Sequence, residues 1–369
     1  MKIPLFKIYW DEEDLRAVEE VIKSGMRWCI GPAIEEFEGK IASYLGTDYC
    51  VTFNSGGSAL HALMAAHGFG PGDEIIVPSF TFIATALAPL YTGAKPVFAD
   101  IEDETMGLDP DDVNERITPR TRAIIPIHYA GVPCRIDELR EIADDHNLVL
   151  IEDAAEAFGA TYKGEYAGNI GDSAIFSFCQ NKIFTTSEGG CAVTRDREVY
   201  EKLKLLSSYG RVDSGDYFNS SEKVDYLIPG YNWRLSSILA ALGISQLEKV
   251  ERLIEMRRKN ARYLNRKLGK IEGVVTPSEP PACRHVYQMY TIQVTDGRRD
   301  QLMKFLESRG ISCKVYFDPA HRYTVFNDET ELPVTETISE RVLTLPMYPH
   351  MTVDELEYIT SSIGEFFGE

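Results

Sequence analysis

Residues 123–153, AIIPIHYAGVPCRIDELREIADDHNLVLIED, read as an apolar run (Ala123–His128), a helix-period segment (Ile136–His146) and a second apolar run ending on a carboxylate (Leu148–Asp153). Two strands that point the same way need a crossover of a dozen or more residues between them, and a helix is its usual form. The stretch therefore predicts a strand, a helix and a parallel strand. The alternation continues in both directions. Strands are expected at Tyr49–Phe53, Glu74–Val77, Pro96–Asp100, Ser173–Phe178 and Gly190–Thr194, and helices at Ala59–Gly68 and Ala84–Tyr91, each run bounded by Gly, Pro, Asn or Asp. The class is α/β, with a mostly parallel seven-stranded sheet covered by helices on both faces.

Outside this unit the pattern changes. Two amphipathic helices precede it, one starting near Asp11 with Leu15, Val18 and Ile22 on one face, the other carrying Ile34, Phe37, Ile41 and Leu45. Gly25 and Gly46 follow them as stop signals. After Trp233 one long helical pattern runs from about Ser236 to Leu268, and Pro277, Pro280 and Pro281 then break the chain. The remainder reads as a small α+β unit: strand-like Val286–Val294, a helix over Arg299–Ser308, strand-like Ser312–Phe317 and a last helix over Val353–Phe367. The expected division is 1–235 for the N-terminal helices and the large α/β domain, 236–275 for a connecting helix and 276–369 for the small domain. A chain of 369 residues has room for about two domains.

With 38 Lys and Arg against 57 Asp and Glu, the net charge is −19, which disfavours binding to nucleic acid or an anionic membrane. An anionic substrate then needs a locally basic pocket. Hydrophobic residues make up 44% and charged residues 26%, the proportions of a folded globular chain. Seven cysteines, odd in number and without C-x-x-C spacing, argue against a zinc or redox site and fit reduced thiols in a cytoplasm. The start lacks an apolar leader region and no stretch has the eighteen or so apolar residues that a spanning helix needs, so neither secretion nor a membrane span is expected.

Ligands of such sheets bind beyond the carboxyl ends of the strands. Asn54-Ser55-Gly56-Gly57-Ser58 follows one strand and opens a helix, whose free N–H groups favour a phosphate; without G-x-G-x-x-G or G-K-[ST] spacing it does not suit a dinucleotide or a nucleoside triphosphate. Asp153 tips an apolar strand, where a carboxylate needs a partner, either a helix cap or something cationic. Lys182 follows Phe176-Ser177-Phe178; taken alone it reads as a solvated surface lysine. Phe82, just past another strand, reads as core or as a ring that covers a flat ligand. Together a phosphate turn, a carboxylate and a lysine match the phosphate, pyridine nitrogen and aldehyde of pyridoxal 5′-phosphate.

At Ile151-Glu152-Asp153-Ala154-Ala155-Glu156, Phe176-Ser177-Phe178 with Lys182, Ser187-Glu188-Gly189-Gly190, Gly230-Tyr231-Asn232-Trp233-Arg234 and Leu345-Pro346-Met347-Tyr348-Pro349 the sequence resembles the DegT/StrS sugar-nucleotide aminotransferases, which are fold-type I pyridoxal phosphate enzymes. The resemblance covers essentially the whole chain. It implies that Lys182 joins the cofactor as a Schiff base, that Asp153 pairs with the pyridinium nitrogen, and that Glu156, where many members carry Gln, sits beside the phenolic oxygen. Phe82 is implied to stack on the ring. Ser177 and Gly56-Gly57-Ser58 are implied to hold the phosphate, with Asn232 reaching it from a second subunit of a homodimer with shared active sites. The implied reaction uses L-glutamate, leaving 2-oxoglutarate, to aminate a nucleotide-linked keto-sugar. The combination of Glu156-Ala157, Asn181-Lys182 and Arg284–Thr291 is most similar to perosamine-synthase-type members, which aminate C4 of a 4-keto-6-deoxyhexose. A 3-keto-sugar aminotransferase shares almost all of these motifs. A pyridoxal phosphate sugar dehydratase has His in place of the lysine, and a non-catalytic regulatory protein would not need Asp153, Ser177 and Lys182 together. His285, Tyr316, His321 and Arg211 are candidate sugar or diphosphate contacts, with packing or solvated surface as the alternative for each.

Three departures from the family pattern stand out. Gly57 occupies the usual Thr place of the phosphate turn, so a hydroxyl is missing there that Ser58 is expected to replace. Ser187 stands where the usual loop has Gly, which narrows the backbone allowed. The stretch Ser24–Pro32 is longer than the common form, with Met26 where Trp is frequent.

Overall fold

The computed structural model describes residues 1–212, 221 and 223–368. Its strands are β1 (Tyr49–Phe53), β2 (Glu74–Pro78), β3 (Lys95–Ala99), β4 (Thr121–Ile124), β5 (Val149–Asp153), β6 (Thr161–Tyr162), β7 (Glu165–Tyr166), β8 (Ser173–Ser177), β9 (Gly190–Thr194), β10 (Val274–Val275), β11 (Cys283–Arg284), β12 (Tyr290–Val294) and β13 (Val342–Leu345). The helices are α1 (Glu12–Lys23), α2 (Pro32–Leu45), α3 (Gly56–His67), α4 (Ile83–Thr92), α5 (Pro110–Glu115), α6 (Ile136–His146), α7 (Arg197–Ser207), α8 (Ser237–Leu247), α9 (Val250–Leu268), α10 (Arg299–Ser308), α11 (Pro333–Arg341) and α12 (Val353–Phe367).

Seven strands form the central sheet in the order β1-β9-β8-β5-β4-β2-β3. Only β9 is reversed: it runs antiparallel to β1 and β8, while the other neighbours pair in parallel. The reversal keeps the β8–β9 connection, residues 178–189, at the same sheet edge as the residues that follow β1, β2 and β5. Leu60, Leu63 and Met64 of α3 pack on one face with Val77 and Ile151, and Phe37 and Ile41 of α2 pack on the other with Phe176 and Val193. A Cβ on Gly190 would lie 2.5 Å from the Gly56 nitrogen. Glycine there lets the start of α3 sit directly on the ends of β8 and β9.

The smaller C-terminal sheet, β10-β12-β13, packs Tyr290, Ile292 and Leu343 against Leu264 of α9, Leu302 of α10 and Ile359 of α12. No helix among the described residues is long and apolar enough to cross a membrane.

Several expectations need correction. The run Ala123–His128 is strand only to Ile124, because Pro126 has no N–H for the ladder; its carbonyl still accepts the Asp153 N–H at 2.9 Å. Val286–Val294 is strand only from Tyr290; residues 286–289 instead bond to Ala130 and Gly131 of the large unit. Over Ser312–Phe317 only Lys314 pairs with a strand residue, Thr344, before the Tyr129 hydroxyl takes the Tyr316 carbonyl. The long helix from Ser236 is two helices meeting at Glu248 and Lys249.

That junction explains a further difference. Asp14 is the buried residue of α1, accepting from Ser245 and Gln246 at 2.7 and 2.8 Å and from the Lys249 ammonium at 2.9 Å, with Asp11 also on Lys249. This polar cluster fastens α1, so Leu15 (53% exposed) and Ile22 line a surface groove with Trp10 and Leu242 rather than the core. Lys249→Met should cost about 3 kcal/mol of stability, since it strands the buried Asp14 carboxylate without its counter-charge. Urea unfolding measures it; a loss below about 1 kcal/mol would show the pair to be dispensable.

Candidate active site

Four strand ends deliver polar groups to one edge. After β5, Asp153 is 4% exposed and accepts from the Thr85 hydroxyl at 2.7 Å and the Ala155 N–H at 3.1 Å. Thr85 in turn meets the Thr81 hydroxyl at 2.7 Å. One turn on, the Glu156 carboxylate accepts the Ala130 N–H at 2.8 Å and lies 3.7 Å from the Lys182 ammonium. Burial pushes both the Asp153 and Glu156 carboxyls above their ordinary pKa, with the Lys182 charge acting against that rise. Lys182 is placed by a turn in which its N–H reaches the Cys179 carbonyl at 2.9 Å.

The neighbouring Glu152 points the other way along the strand and is bound on both oxygens. His128 Nε2 lies 2.7 Å from it, and the N–H groups of Gly168, Ile170 and Gly171 donate to it. Burial alone would raise its pKa, but His128 and these amides outweigh it and leave Glu152 below the usual range. The Cys134 N–H donates to His128 Nδ1, so Nε2 carries the proton given to Glu152. Glu152 is thus a structural anchor beneath Asp153.

The turn after β1 is built from its own side chains. Ser55 caps α3 by accepting the Ser58 N–H at 3.0 Å, leaving the first-turn amides of Gly56 and Gly57 for an outside acceptor. A Cβ on Gly56 would come within 3.1 Å of the Ser177 side chain, so the start of α3 lies directly against Ser177. A Cβ on Gly57 meets nothing nearer than the Ser55 hydroxyl at 3.9 Å, so the family's side chain is missing there without anything taking its space. Ser58 does not replace it: its hydroxyl donates to Asn54 Oδ1 at 2.7 Å. Ser187 has φ +74°, the left-handed backbone for which the family's Gly is suited.

Phe82 precedes α4 and is 58% exposed, its ring 6.3 Å from that of Phe317. Asn232 is exposed; its neighbours Tyr231 and Trp233 stack at 3.8 Å, and the Trp233 carbonyl accepts the Asn54 N–H at 2.7 Å. The motif is therefore strapped to its own phosphate turn through the main chain.

The four candidate sugar contacts are not all gathered at this edge. His285 is buried, stacked on Tyr287 at 3.9 Å and accepting its N–H; burial brings its pKa down to about 4. His321 is fully buried, bonded to Ser79 at 2.6 Å. Both rings are buried within the protein's own packing and present no exposed face, against their reading as substrate contacts. Arg211 is also buried and lines a separate cavity of about 400 Å³ with Glu38, Lys204 and Arg234, none of which belongs to the lysine site. Tyr316 alone lies near, lining a small pocket with Asn181 and Gln288. Sequence reading missed Thr85, the Ala130 amide and Gln288. For Thr85 a signal existed, since Thr81 and Thr85 are four apart at the start of a helix.

A lysine, a buried carboxylate and a helix N-terminus with free amides at one sheet edge are the parts of a pyridoxal-phosphate-dependent aminotransferase. The chain belongs to the DegT/DnrJ/EryC1/StrS aminotransferase family, whose model matches residues 9–364. It is 38% identical to GDP-perosamine synthase of Caulobacter vibrioides over 342 residues, 91% of this chain and 90% of that protein. It is 35% identical to a pleiotropic regulatory protein of Geobacillus stearothermophilus, covering 100% and 99% of the two chains. Among solved structures it resembles the PLP form of the putative sugar aminotransferase Spr1654 from Streptococcus pneumoniae, with a TM-score of 0.94, 27% identity and coverage of 100% and 99%. The chain is an aminotransferase of this family, and its relatives include sugar aminotransferases.

Proposed function

We propose that this chain moves an amino group from L-glutamate, released as 2-oxoglutarate, to C4 of a nucleotide-linked 4-keto-6-deoxyhexose, and that it does so as a homodimer with shared active sites. The observation that carries the reading is the convergence of the Gly56–Ser58 turn, buried Asp153 and the Lys182 amine at one edge. The likeness to perosamine synthases supports C4 as the site of amination. The donor set suits pyridoxal phosphate: the uncapped Gly56 and Gly57 amides at the α3 N-terminus, beside Ser177, favour an anion, and an ionised Asp153 held in a buried site calls for a cation.

When bound, the cofactor supplies an aldehyde for the amine and a ring that accepts the electron pair left at the donor's α-carbon. The chain's residues do the rest. The Gly56 and Gly57 amides and Ser177 hold the phosphate at the α3 N-terminus, where a helix favours negative charge, and Asn232 adds to this from the second subunit. Phe82 covers the ring. Glu156, held by the Ala130 N–H, sits beside the phenolic oxygen. Lys182 removes the proton from the donor's α-carbon as general base and returns one to the cofactor side as general acid.

Offering the enzyme glutamate with 4-keto-6-deoxyhexoses on GDP, UDP and dTDP, and with a 3-keto isomer, tests the assignment. Mass and NMR analysis should find an amine at C4 of one of the first three. Turnover confined to the 3-keto isomer would overturn it.

A further inference from the structure

We infer that Gln288 is a positioning residue for the transfer, holding the Lys182 turn in register with Glu156. The inference rests on the reading of Lys182 as the reacting lysine. Gln288 lies in the segment 286–289 that departs from the small sheet and crosses to the large unit. Its side-chain amide donates to the Asn181 carbonyl at 2.7 Å, one peptide before Lys182. Its neighbour Met289 donates its N–H to the Ala130 carbonyl at 3.2 Å, and the Ala130 N–H holds Glu156 at 2.8 Å. One short segment therefore grips both members of the Lys182–Glu156 pair, whose separation is 3.7 Å.

The segment is itself held hard. Arg257, buried on α9, directs Nη1 to the carbonyls of Tyr287 and Gln288 at 3.2 Å and of Met347 at 3.3 Å. By contrast, other polar contacts of the lysine loop stay within it: Lys182 N–H to Cys179, the Thr185 hydroxyl to Phe178, Ser187 N–H to Thr185. These bonds shape the loop without relating it to Glu156. Packing alone would not favour an amide here, because Gln288 Oε1 is buried without a partner while Nε2 is spent on Asn181. A thioether of the same length would fill the space at no such cost. The residue makes sense through the bond to Asn181.

The test is Gln288→Met in the cofactor-loaded enzyme, which keeps side-chain length and removes the donor. The unfolding midpoint should stay near the parent's. The glutamate half-reaction should slow on the order of 10- to 100-fold, the scale of a small misplacement of a reacting group, while KM for glutamate stays within about twofold. The pH at which the visible band of the lysine-bound cofactor changes should also move, because Lys182 would sit differently against Glu156 and Asp153. Gln288→Asn, which keeps an amide but is one methylene too short to reach the Asn181 carbonyl, should show the same kcat loss and decides the matter if the Met variant folds poorly. Parental kcat together with a parental pH titration in a folded variant overturns the inference. Failure of the Lys182 reading is a separate result, since the parent enzyme would then show no lysine-dependent visible band.

Discussion

Lys182→Ala is expected to fold, to bind cofactor through the phosphate turn, to lack the visible band of lysine-bound cofactor and to transfer no amino group. Folding should survive because the residues that anchor this loop are its neighbours Ile183 and Phe184, both buried in the core with Phe37 and Phe158. The chemistry should not, because one side chain supplies both the attachment point and the proton carrier. Acid–base catalysis alone is worth roughly 10²- to 10⁴-fold, and the loss of attachment adds to that. Absorbance spectra and multiple-turnover assays with glutamate measure both parts; sustained turnover near the parental rate would remove Lys182 from the mechanism. The same variant probes the proposed dimer. Mixed with Asn232→Ala subunits it should give hybrids with one intact site, so activity should exceed that of either parent. Confirmed hybrids with no such gain would show that Asn232 does not serve the second subunit.

How far this site can be read from sequence follows from what each signal reports. Helices α6, α10 and α12 match their expected bounds residue for residue, since local features set them: an αL Asn147 ends the first, and a Thr352–Glu355 capping box opens the last. Asp153, Ser177 and Lys182 were legible because apolar strands end abruptly on polar residues at the edge where ligands bind. Periodicity, however, tells which face is apolar and not what it meets. Leu15 and Ile22 look like core, yet the buried side of α1 is claimed by Asp14 because Lys249 sits opposite, 235 residues away. The same limit hid α11 and β13, and it hid residues 286–289, whose partners lie at 130–131. Gln288 carried no local mark of its bond to Asn181. His285 and His321 show the opposite error: chemically able rings that the fold spends on Tyr287 and Ser79.

Asp153→Asn should leave the structure nearly unchanged and slow the chemical step on the order of a thousandfold or more. Geometry permits the replacement: the Asn oxygen can accept the Ala155 N–H, and its NH2 can donate to Thr85, whose own hydroxyl then turns to donate to Thr81. What disappears is the negative charge that holds a proton on the pyridine nitrogen, and a preorganised charge of this kind contributes several kcal/mol to the transition state. The effect on stability should have the opposite sign in the protein without cofactor. Burial raises the Asp153 pKa above its unfolded value, so folding favours the protonated form, and ionised Asp153 weighs against the fold increasingly as pH climbs past the ordinary carboxylate range. Asn carries no such penalty, so the cofactor-free variant should match the parent at low pH and gain on it toward neutrality. Single-turnover conversion of the cofactor by glutamate, read beside urea unfolding at pH 4 and pH 7, separates the two effects. A variant that converts bound cofactor at the parental rate would make Asp153 a structural cap of the Thr81–Thr85 pair and remove it from the chemistry.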